Sequence, residues 1–487
     1  MSRIDIPDVR AVLYVIGLVV ACLGIAMTAP MVADLIDGNE NWRAFAISSL
    51  VTGLTGVVIT LSTHNRVGNS LTIKQIFILT TGLYVALPVF GAVPFVLGEP
   101  GIDIVDAFFE AMSGLTTTGA TVIAGLESLP PGVLLWRGLL QWFGGIGIIV
   151  IAVVFFPFLR VGGMQLFRWD SLVTLGQILP RAFEVTWSIS LIYLFLTVAC
   201  ALGYSFAGMS VFDAIVHSMT TVATGGFANY DSSFASLGAR AEYVSVVFMI
   251  LASLPFFRYF QFATGSYRPL FEDRQVRGFM MSIIAIVILL VVWLILVNDR
   301  NFEIALRKSL FNGVSILTGT GYASENYSNW GGFPVAVFFI IGLVGGCAGS
   351  TCCSIKIFRF QLMISALRAH ITRVRLPHAV AVPKYAGQRI PNEVLSSVMS
   401  FFVIFFATLL GATLLLAIAG LDFLTSLSAA AAALANIGPG LGDIVGPAGN
   451  YAGLGDGPKL LLAFVMLVGR LELTAVYALL TIRFWRS

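Results

Sequence analysis

The chain has 487 residues, of which 58% are hydrophobic and only 11% are charged, and its mean hydropathy is +0.92. Because a soluble domain carries about 25% charged residues, this composition excludes a soluble enzyme and indicates a polytopic membrane protein. The net charge of +3 gives no indication of a nucleic-acid partner, and the five cysteines predict neither a disulfide framework nor a metal site.

The first unit of the chain, residues 1–70, predicts two transmembrane helices. The apolar run at 11–29 is too long for the core of a signal peptide, and Pro30 gives no convincing cleavage site, so we expect a retained first helix. A polar, acidic hairpin at 34–43 leads to a second span at 44–62. These two helices lie outside the pattern that follows.

The rest of the chain repeats one plan four times, in the units 71–180, 181–275, 276–390 and 391–487. Each unit is predicted to hold a spanning helix, a short re-entrant segment and a second spanning helix. The predicted pairs of spans are 75–97 and 133–155, 187–206 and 241–262, 278–297 and 332–349, and 394–419 and 459–482. The predicted fold is therefore an all-α membrane protein of four parallel repeats and two extra N-terminal helices, with ten spans and both termini on one side.

The re-entrant segments are short apolar stretches that run into small and hydroxyl residues and break at a glycine. They cover residues 106–121, 213–227, 302–322 and 421–440. Their apolar parts are too short to span a membrane, where a helix needs about 20 apolar residues. Irregular backbone at membrane depth is tolerated where it lines a wet cavity. A ring of its carbonyl oxygens can replace the hydration shell of an alkali cation, so the segments predict an ion selectivity filter.

The glycines aligned at the four breaks are Gly119, Gly225, Gly321 and Gly438, although Gly226 is an equally good partner for Gly119. They recur at intervals of roughly 100 residues, which is too long for a solenoid unit. Glycine suits this position because positive φ costs it little. The predicted filter residues are Thr117, Thr118, Gly119, Thr224, Gly225, Thr320, Gly321, Asn436, Ile437 and Gly438.

A predicted gate lies below the filter, where the stretch 345–354 (GGCAGSTCCS) cannot form a firm membrane helix. The alternative is a tight helix-packing seam of small residues.

Arg470 lies about halfway along the last predicted helix, where a cation usually faces the bundle interior and marks an ion path. We expect it to bind carbonyl groups of the stretch; snorkelling is the alternative. The predicted gate residues are Gly345, Gly346, Cys347, Ala348, Gly349, Ser350, Thr351 and Arg470.

Charge predicts the orientation of the chain. Most of the 28 Lys and Arg residues fall on the side of the termini, which marks the cytoplasm, so the re-entrant segments enter from outside. Acidic residues flank these segments and would concentrate cations at the mouth, namely Asp103, Asp106, Glu110, Asp213, Asp231, Asp422 and Asp443. Singly, most of them could be solvated loop acids, and Asp106 and Asp213 could be helix N-caps.

A basic helix is expected at 355–375, where it binds either anionic lipid or a partner protein.

Two further motifs are assigned no chemistry. The glycines of QWFGGIG, at 141–147, are predicted to allow close helix packing. Ser113 followed by Gly114 is similar to the nucleophile of an intramembrane serine protease, but no histidine falls mid-membrane on a later span to serve as its base.

Together the motifs resemble the TrkH branch of the Trk/Ktr/HKT potassium transporters, over nearly the whole chain. The resemblance rests on TTTGAT, TVATGGF, TGTGYAS and ANIGPGLG, on QWFGGIGI, on GGCAGST before IKIFR, and on GRLE in the last helix. It implies a pseudo-tetrameric, potassium-channel-like pore, a homodimer in the bacterial cytoplasmic membrane, and cytosolic TrkA-type subunits that bind nucleotide and control the gate. The chain departs from the pattern at Cys352, Cys353 and Ser354, where we expect more glycine, and this stiffens the end of the gating stretch.

The predicted function is therefore K⁺ uptake, with K⁺ at the filter residues as the transported ion and no enzymatic activity. One glycine-centred layer per repeat should discriminate less sharply than the longer filter of potassium channels. The alternative is an alternating-access symporter coupled to H⁺ or Na⁺, which also uses broken helices. Such carriers are marked by inverted halves, whereas these four units run in parallel.

Overall fold

The computed structural model describes residues 8–64, 71–152, 163 and 178–486. Within them, seven helices are long and apolar enough to cross a membrane, and there are nine such spans if each of two bent helix pairs counts as one. The remaining predicted span corresponds to Gly332–Gly342, which has 11 residues and is too short to cross as a helix. The molecule is therefore a multi-pass membrane protein whose helices follow the predicted order.

The N-terminal helices are α1 (Arg10–Ala26), α2 (Thr28–Asp37) and α3 (Trp42–Thr63). The hairpin predicted at 34–43 is shorter than expected, because α2 continues to Asp37 and ends at Gly38 with φ 75°. The buried Asp34 carboxylate accepts hydrogen bonds from Asn41 Nδ2 (2.8 Å) and from the Gly132 backbone N–H (2.5 Å). This acid thereby fastens the N-terminal helices to the first repeated unit.

The first two repeated units each contain a short helix between longer ones. The first has α4 (Ile73–Gly91), α5 (Val93–Leu97), α6 (Ile104–Leu115), a 3₁₀ turn (Leu126–Ser128) and α7 (Pro131–Val150). The second has α8 (Ile178–Ala207), α9 (Val211–Val222), α10 (Ala239–Ala252), α11 (Phe256–Ala263) and α12 (Arg268–Glu272). The end of the span predicted at 133–155 lies outside the described residues.

The third and fourth units repeat the plan with additions. The third has α13 (Arg274–Leu296), α14 (Phe302–Thr318), a 3₁₀ turn (Tyr327–Trp330), α15 (Gly332–Gly342), β1 (Val344–Gly345), β2 (Ile355–Lys356) and α16 (Ile357–Arg375). A connecting hairpin pairs β3 (Lys384–Tyr385) with β4 (Gln388–Arg389), in antiparallel orientation. The fourth has α17 (Asn392–Ile418), α18 (Phe423–Ala435), α19 (Asp456–Arg470), α20 (Thr474–Leu480) and α21 (Ile482–Arg486).

Two helices that the sequence predicts to be continuous are bent. α10 and α11 meet at 86° around Pro255, which cannot donate a helical hydrogen bond. α19 and α20 meet at 113°, where Glu472 (φ 60°) and Leu473 (φ 50°) adopt left-handed backbone. Both bends lie next to the stretch 345–354. They were missed because hydropathy records only that a segment is apolar.

The molecule is apolar outside and partly polar inside, as expected where lipid is the solvent. On α13, Ile284 and Ile288 are 56% and 58% exposed and face outward. The four short helices α6, α9, α14 and α18, which we call the inner helices, are buried over their C-terminal halves. The polar atoms of the loops that follow them therefore lie in the centre of the protein.

Candidate ion pathway

The inner helices lead into four loops, which we call ring loops 1 to 4: residues 116–121, 223–228, 319–323 and 436–440. These loops contain all ten predicted filter residues, and the side chains of Thr117, Thr118, Thr224, Thr320 and Asn436 are fully buried. A helix C-terminus carries a partial negative charge of about half an electron. Four such ends next to the ring loops favour a cation there.

Each ring loop has the same backbone pattern of a left-handed residue, one further residue and a left-handed glycine. The pairs of left-handed residues are Thr117 (φ 50°) and Gly119 (83°), Thr224 (50°) and Gly226 (81°), Gly319 (75°) and Gly321 (82°), and Asn436 (51°) and Gly438 (101°). The structure therefore aligns Gly226 with Gly119, and the alignment of Gly225 is shifted by one residue. Sequence spacing left both alignments open, whereas the backbone conformation selects one.

The left-handed glycines bring the ring loops into contact in cyclic order. A Cβ atom on Gly119 would overlap the Gly225 carbonyl oxygen, one on Gly226 would overlap that of Thr320, and one on Gly321 would overlap that of Ile437. A Cβ on Gly438 would lie 2.7 Å from the Thr118 carbonyl oxygen, which closes the circle. The four loops thus surround one axis, with each glycine against a carbonyl group of the next loop.

An open cavity lies against one face of this ring. It has a volume of about 520 Å³, and the left-handed glycines of all four ring loops contribute to its lining. Asp231 and Asp443 also line it. A cation entering this cavity would therefore meet the ring directly, with acidic side chains close by.

Several of the predicted mouth acids have structural roles instead. Glu110 is fully buried and ion-paired with Arg137 at 2.8 Å, so it is no part of the mouth. Asp106 Oδ1 accepts from Lys459 Nζ at 2.5 Å. Asp231 accepts two backbone hydrogen bonds, although it also lines the cavity. Sequence spacing could not separate these acids because a charge paired in the fold and a solvated charge look alike in a sequence.

The helix N-caps differ from those expected. Ser210, not Asp213, caps α9, and Asp106 lies inside the first turn of α6. Asp422 caps α18, where it accepts from the Thr425 backbone N–H at 3.1 Å. Hydrogen bonds from the side chain and the backbone of Thr425 lower the pKa of the Asp422 carboxyl, so it stays charged at neutral pH.

Hydroxyl groups fasten the ring loops from within. Thr116 and Thr118 share a hydrogen bond of 2.8 Å, and Thr318 and Thr320 share an equivalent bond of 2.8 Å. Asn436 Nδ2 donates to Thr118 Oγ1 at 2.9 Å, which joins ring loop 4 to ring loop 1. The threonines predicted for the filter thus hold the loops together through their side chains.

The predicted filter residues do not include two tyrosines that hold the ring in place, Tyr451 from another segment and Tyr322 within ring loop 3. The Tyr451 hydroxyl donates to the Gly438 carbonyl at 2.8 Å, and its backbone N–H donates to Thr121 at 2.9 Å. The Tyr322 hydroxyl lies 2.5 Å from that of Thr220 on α9. Tyr322 directly follows a filter glycine, and this adjacency was the available signal. Tyr451 is remote in sequence and gave none.

The glycines of the motif at 141–147 pack against the inner helices, as predicted. A Cβ on Gly144 would overlap the Leu115 carbonyl oxygen at the end of α6, and one on Gly145 would lie 3.0 Å from Ala223 Cα. The motif also contains Gln141, whose carboxamide hydrogen-bonds ring loop 2. The motif was assigned no chemistry because its polar residue was overlooked beside its glycines.

The stretch 345–354, which we call the inner loop, is not helical, as predicted. Its ends pair as the parallel strands β1 and β2. The Gly349 carbonyl accepts from the Phe256 N–H at 2.9 Å, at the bend between α10 and α11. The Ser354 N–H donates to the Ala435 carbonyl at 3.0 Å, at the end of α18. The inner loop is therefore held between the second and fourth units.

Cys353 of the inner loop lies against the ring. Its Sγ atom is 3.7 Å from Thr117 Oγ1 in ring loop 1. A Cβ on Gly319, in ring loop 3, would lie 3.7 Å from the Cys353 Cβ. The Cys353 side chain thus lies beside ring loops 1 and 3, which are not neighbours in the circle.

Arg470 binds the inner loop, as the sequence predicted. Its guanidinium contacts Cys353 Sγ, and it donates to the carbonyl groups of Thr351 (3.4 Å) and Gly144 (3.2 Å). Glu472 is no partner of Arg470 but is ion-paired with the buried Arg359 of α16. The cavity between inner loop and Arg470 measures about 20 Å³, room for about one water molecule.

Known proteins match this chain in sequence and in fold. The sequence profile of the TrkH family, described as a cation transport protein, matches residues 42–484. A potassium uptake protein of the Trk system from Halomonas elongata, TrkI, is 39% identical over 98% of this chain and 97% of its own. TrkH of Vibrio parahaemolyticus is 35% identical over 98% and 99%.

The likeness extends to three dimensions. The crystal structure of the potassium transporter TrkH from Vibrio parahaemolyticus superposes with a TM-score of 0.91 at 32% sequence identity, and the match covers 98% of this chain and 100% of that chain. Sequence and fold agree over nearly the full length, and the chain therefore belongs to the TrkH family of cation transport proteins.

Proposed function

We propose that this protein takes up K⁺ through the four ring loops, which act as its ion selectivity filter. The observation that carries the proposal is the cyclic contact of Gly119, Gly226, Gly321 and Gly438 with carbonyl groups of the neighbouring loops. Carbonyl oxygens arranged around one axis can replace the hydration shell of an alkali cation. The related proteins are named potassium uptake proteins, which selects K⁺ among these cations.

The ring predicts modest selectivity. Each loop contributes one glycine-centred layer, whereas the filter of a potassium channel stacks several. The filter residues are the ten predicted from the sequence together with Gly226, which takes the glycine position of the second unit. Rb⁺ is expected to pass as a close substitute, and Na⁺ to pass less well.

The inner loop and Arg470 form the gate in this proposal. Cys353 lies beside ring loops 1 and 3, and the cavity beside Arg470 is small. The guanidinium adds a positive charge beside the path, which repels a cation in the low-dielectric interior. Permeation therefore requires the inner loop, Arg470 or both to move aside.

The proposal extends to the assembly. Two copies form a homodimer in the bacterial cytoplasmic membrane, with both termini in the cytoplasm, and cytosolic nucleotide-binding subunits of the TrkA type act on the gate. Support comes from the uneven distribution of basic residues. It also comes from the exposed basic end of α16, the helix that directly follows the inner loop.

Uptake of radioactive Rb⁺ into proteoliposomes, in competition with K⁺ and Na⁺, tests the proposal. We expect K⁺ to compete more strongly than Na⁺, and we expect flux without an imposed H⁺ or Na⁺ gradient. Flux that requires such a gradient would instead support a coupled symporter. Absence of any alkali cation flux would overturn the proposal.

A further inference from the structure

We propose that Gln141 and Arg137 of α7 are positioning residues that hold ring loop 2, and with it the ion preference of the ring. The inference rests on the proposed function and adds to it a determinant outside the ring loops. The two side chains are four residues apart, so they project from the same face of the helix. We call them, together with Glu110, the α7 brace.

Gln141 hydrogen-bonds to ring loop 2 on both sides of the left-handed Gly226. Its Nε2 donates to the Gly225 carbonyl oxygen at 2.6 Å, and its Oε1 accepts from the Phe227 N–H at 3.1 Å. The Gly225 carbonyl is the one that faces Gly119 in the ring. The fully buried carboxamide thus fixes the direction of an oxygen that belongs to the proposed filter.

Arg137 binds the next residue along ring loop 2. Its Nη1 donates to the Ala228 carbonyl at 2.9 Å, and its guanidinium carbon lies 4.1 Å from the centre of the Phe227 ring. Its Nε donates to Glu110 Oε1 at 2.8 Å, and both side chains are buried. A buried ion pair of this kind is held firmly because either charge alone would be costly.

Glu110 connects the α7 brace to the first unit. Its Oε2 accepts from the Val122 backbone N–H at 3.0 Å, and both of its carboxylate oxygens accept from the Thr121 hydroxyl at 3.0 Å. Thr121 and Val122 lie two and three residues after Gly119, the glycine of ring loop 1. The brace therefore fixes ring loops 1 and 2 against each other from outside the ring.

The decisive variants are Gln141→Met and Gln141→Glu. Methionine keeps the length of the side chain and removes both hydrogen bonds, whereas glutamate keeps the acceptor for Phe227 and removes the donor to Gly225. Trp142→Phe is the matched control. It removes a hydrogen bond of the neighbouring residue, from Trp142 Nε1 to Thr197 Oγ1 at 3.1 Å, that does not involve a ring loop.

The measurement is the ratio of K⁺ to Na⁺ concentrations that halve Rb⁺ uptake into proteoliposomes. We expect both Gln141 variants to lower the K⁺ preference about tenfold, because both lose the hydrogen bond to the Gly225 carbonyl oxygen. The Trp142 variant should keep the wild-type ratio at any level of flux. A purely structural role for Gln141 would change the amount of folded protein and leave the ratio unchanged, and this outcome would overturn the inference.

A double variant covers the case in which the Gln141 substitutions prevent folding. Glu110→Gln combined with Arg137→Met removes both charges together and leaves no unpaired buried ion. It should lower the K⁺ preference as well, because Ala228 loses its donor. Wild-type preference in this double variant would contradict the brace while leaving the proposed function intact. If the wild-type protein itself shows no K⁺ preference, the proposed function fails first.

Discussion

The ring loops and the inner loop are both glycine-rich interruptions of helices, yet they are held in different ways. The ring loops contact one another in a closed circle, and hydroxyl pairs such as Thr116–Thr118 hold them from within. Within the described residues, the inner loop occurs in the third unit only, and it is bound by groups of other units, among them Phe256, Ala435 and Arg470. The ring loops thus fix one another's positions, whereas the position of the inner loop depends on groups of the other units.

Unpaired polar atoms occur in both regions. Among the described residues, Gln141 and Glu110 behind the ring have hydrogen bonds on each of their side-chain polar atoms. Arg470 Nε, beside the inner loop, and Asn436 Oδ1, in ring loop 4, have no hydrogen-bond partner within the described part of the chain. A buried donor without a partner costs about 1–3 kcal/mol. The ring and the inner loop therefore each border one unpaired polar atom, and what distinguishes them is the pattern of contacts between loops.

The largest expected effect comes from a side chain on a left-handed ring glycine. Gly226→Ser would push a Cβ atom into the Thr320 carbonyl oxygen, and it would hold a non-glycine residue at φ 81°, a conformation that costs roughly 1–2 kcal/mol. We expect the K⁺ over Na⁺ preference in Rb⁺ competition assays to fall at least about tenfold. Gly321→Ser should behave in the same way, because its Cβ would overlap the Ile437 carbonyl oxygen.

Two further glycine variants sharpen this test. Gly225→Ser should have an effect no larger than that of the Gln141 variants, because its Cβ would displace the Gln141 side chain and not a ring carbonyl. Gly238→Ser is the control, since Gly238 has φ 82° with open space around it. If Gly225→Ser lowers the preference more than Gly226→Ser, the alignment of Gly226 with Gly119 is wrong. Unchanged preference in Gly226→Ser, in Gly321→Ser and in the same change at Gly119 and Gly438 would remove the filter assignment.

The next largest effect concerns the inner loop. Deleting residues 348–350 should raise basal Rb⁺ flux severalfold, because it shortens the segment that holds Cys353 beside ring loops 1 and 3. Deleting residues 378–380, an exposed part of the connection after α16, is the control and should leave flux unchanged. A variant that inserts normally but conducts less than the wild type would identify the inner loop as a structural element and not a gate.

Arg470→Gln should raise basal flux as well, but less than the deletion. The substitution removes the positive charge beside the path and leaves the inner loop in place. Arg43→Gln, which breaks an exposed ion pair with Glu40 (3.4 Å) in the N-terminal helices, is the control. Higher flux in the Arg470 variant alone, measured at equal protein per liposome, supports a gating charge. Equal flux in the two variants would place Arg470 outside the barrier.

The sequence predicted the elements of this fold better than the contacts between them. Hydropathy and the repeated Thr-Gly breaks located the helices and the ring loops, because both depend on local composition. The inner loop was found for the same reason, since its ten residues are all small. The bend at Glu472 and Leu473 was missed, because two left-handed non-glycine residues leave no mark in an apolar sequence.

The candidate site shows the same limit. Glu110 was expected at the mouth, but a carboxylate paired with Arg137, 27 residues away, reads in sequence as a free acid. Tyr451 and Gln141 reach the ring from other segments of the chain, so that only the fold brings them there. Residues that belong to the ring loops could be predicted from their own segment. Residues that support the ring from elsewhere could not.

The smallest effect on basal flux is expected from substitutions at the cytoplasmic end of α16. The same substitutions separate the ring from the inner loop most sharply. Reversing Arg368, Arg373 and Arg375 to glutamate alters exposed charges only, because Arg359, which pairs with Glu472, stays in place. If a cytosolic nucleotide-binding subunit docks at this end, the variant should lose the nucleotide response of Rb⁺ flux while basal flux and K⁺ preference stay at wild-type values. The reason is mechanical: α16 follows β2 directly, so force on this helix reaches the inner loop before it reaches the ring.

An anionic-lipid anchor is the competing explanation for this basic surface, since polybasic segments bind such lipids at about 1 kcal/mol per basic residue. Reversal of Arg268, an exposed residue on the neighbouring α12, provides the control for a general loss of surface charge. Flux is measured with and without the cytosolic subunit, in liposomes with and without anionic lipid. A nucleotide response that survives the triple reversal, together with weaker binding to anionic liposomes, would assign the helix to the lipid surface. Control of the inner loop would then have to enter by another contact, and the Arg359–Glu472 ion pair between α16 and the bend after α19 is the next one to break.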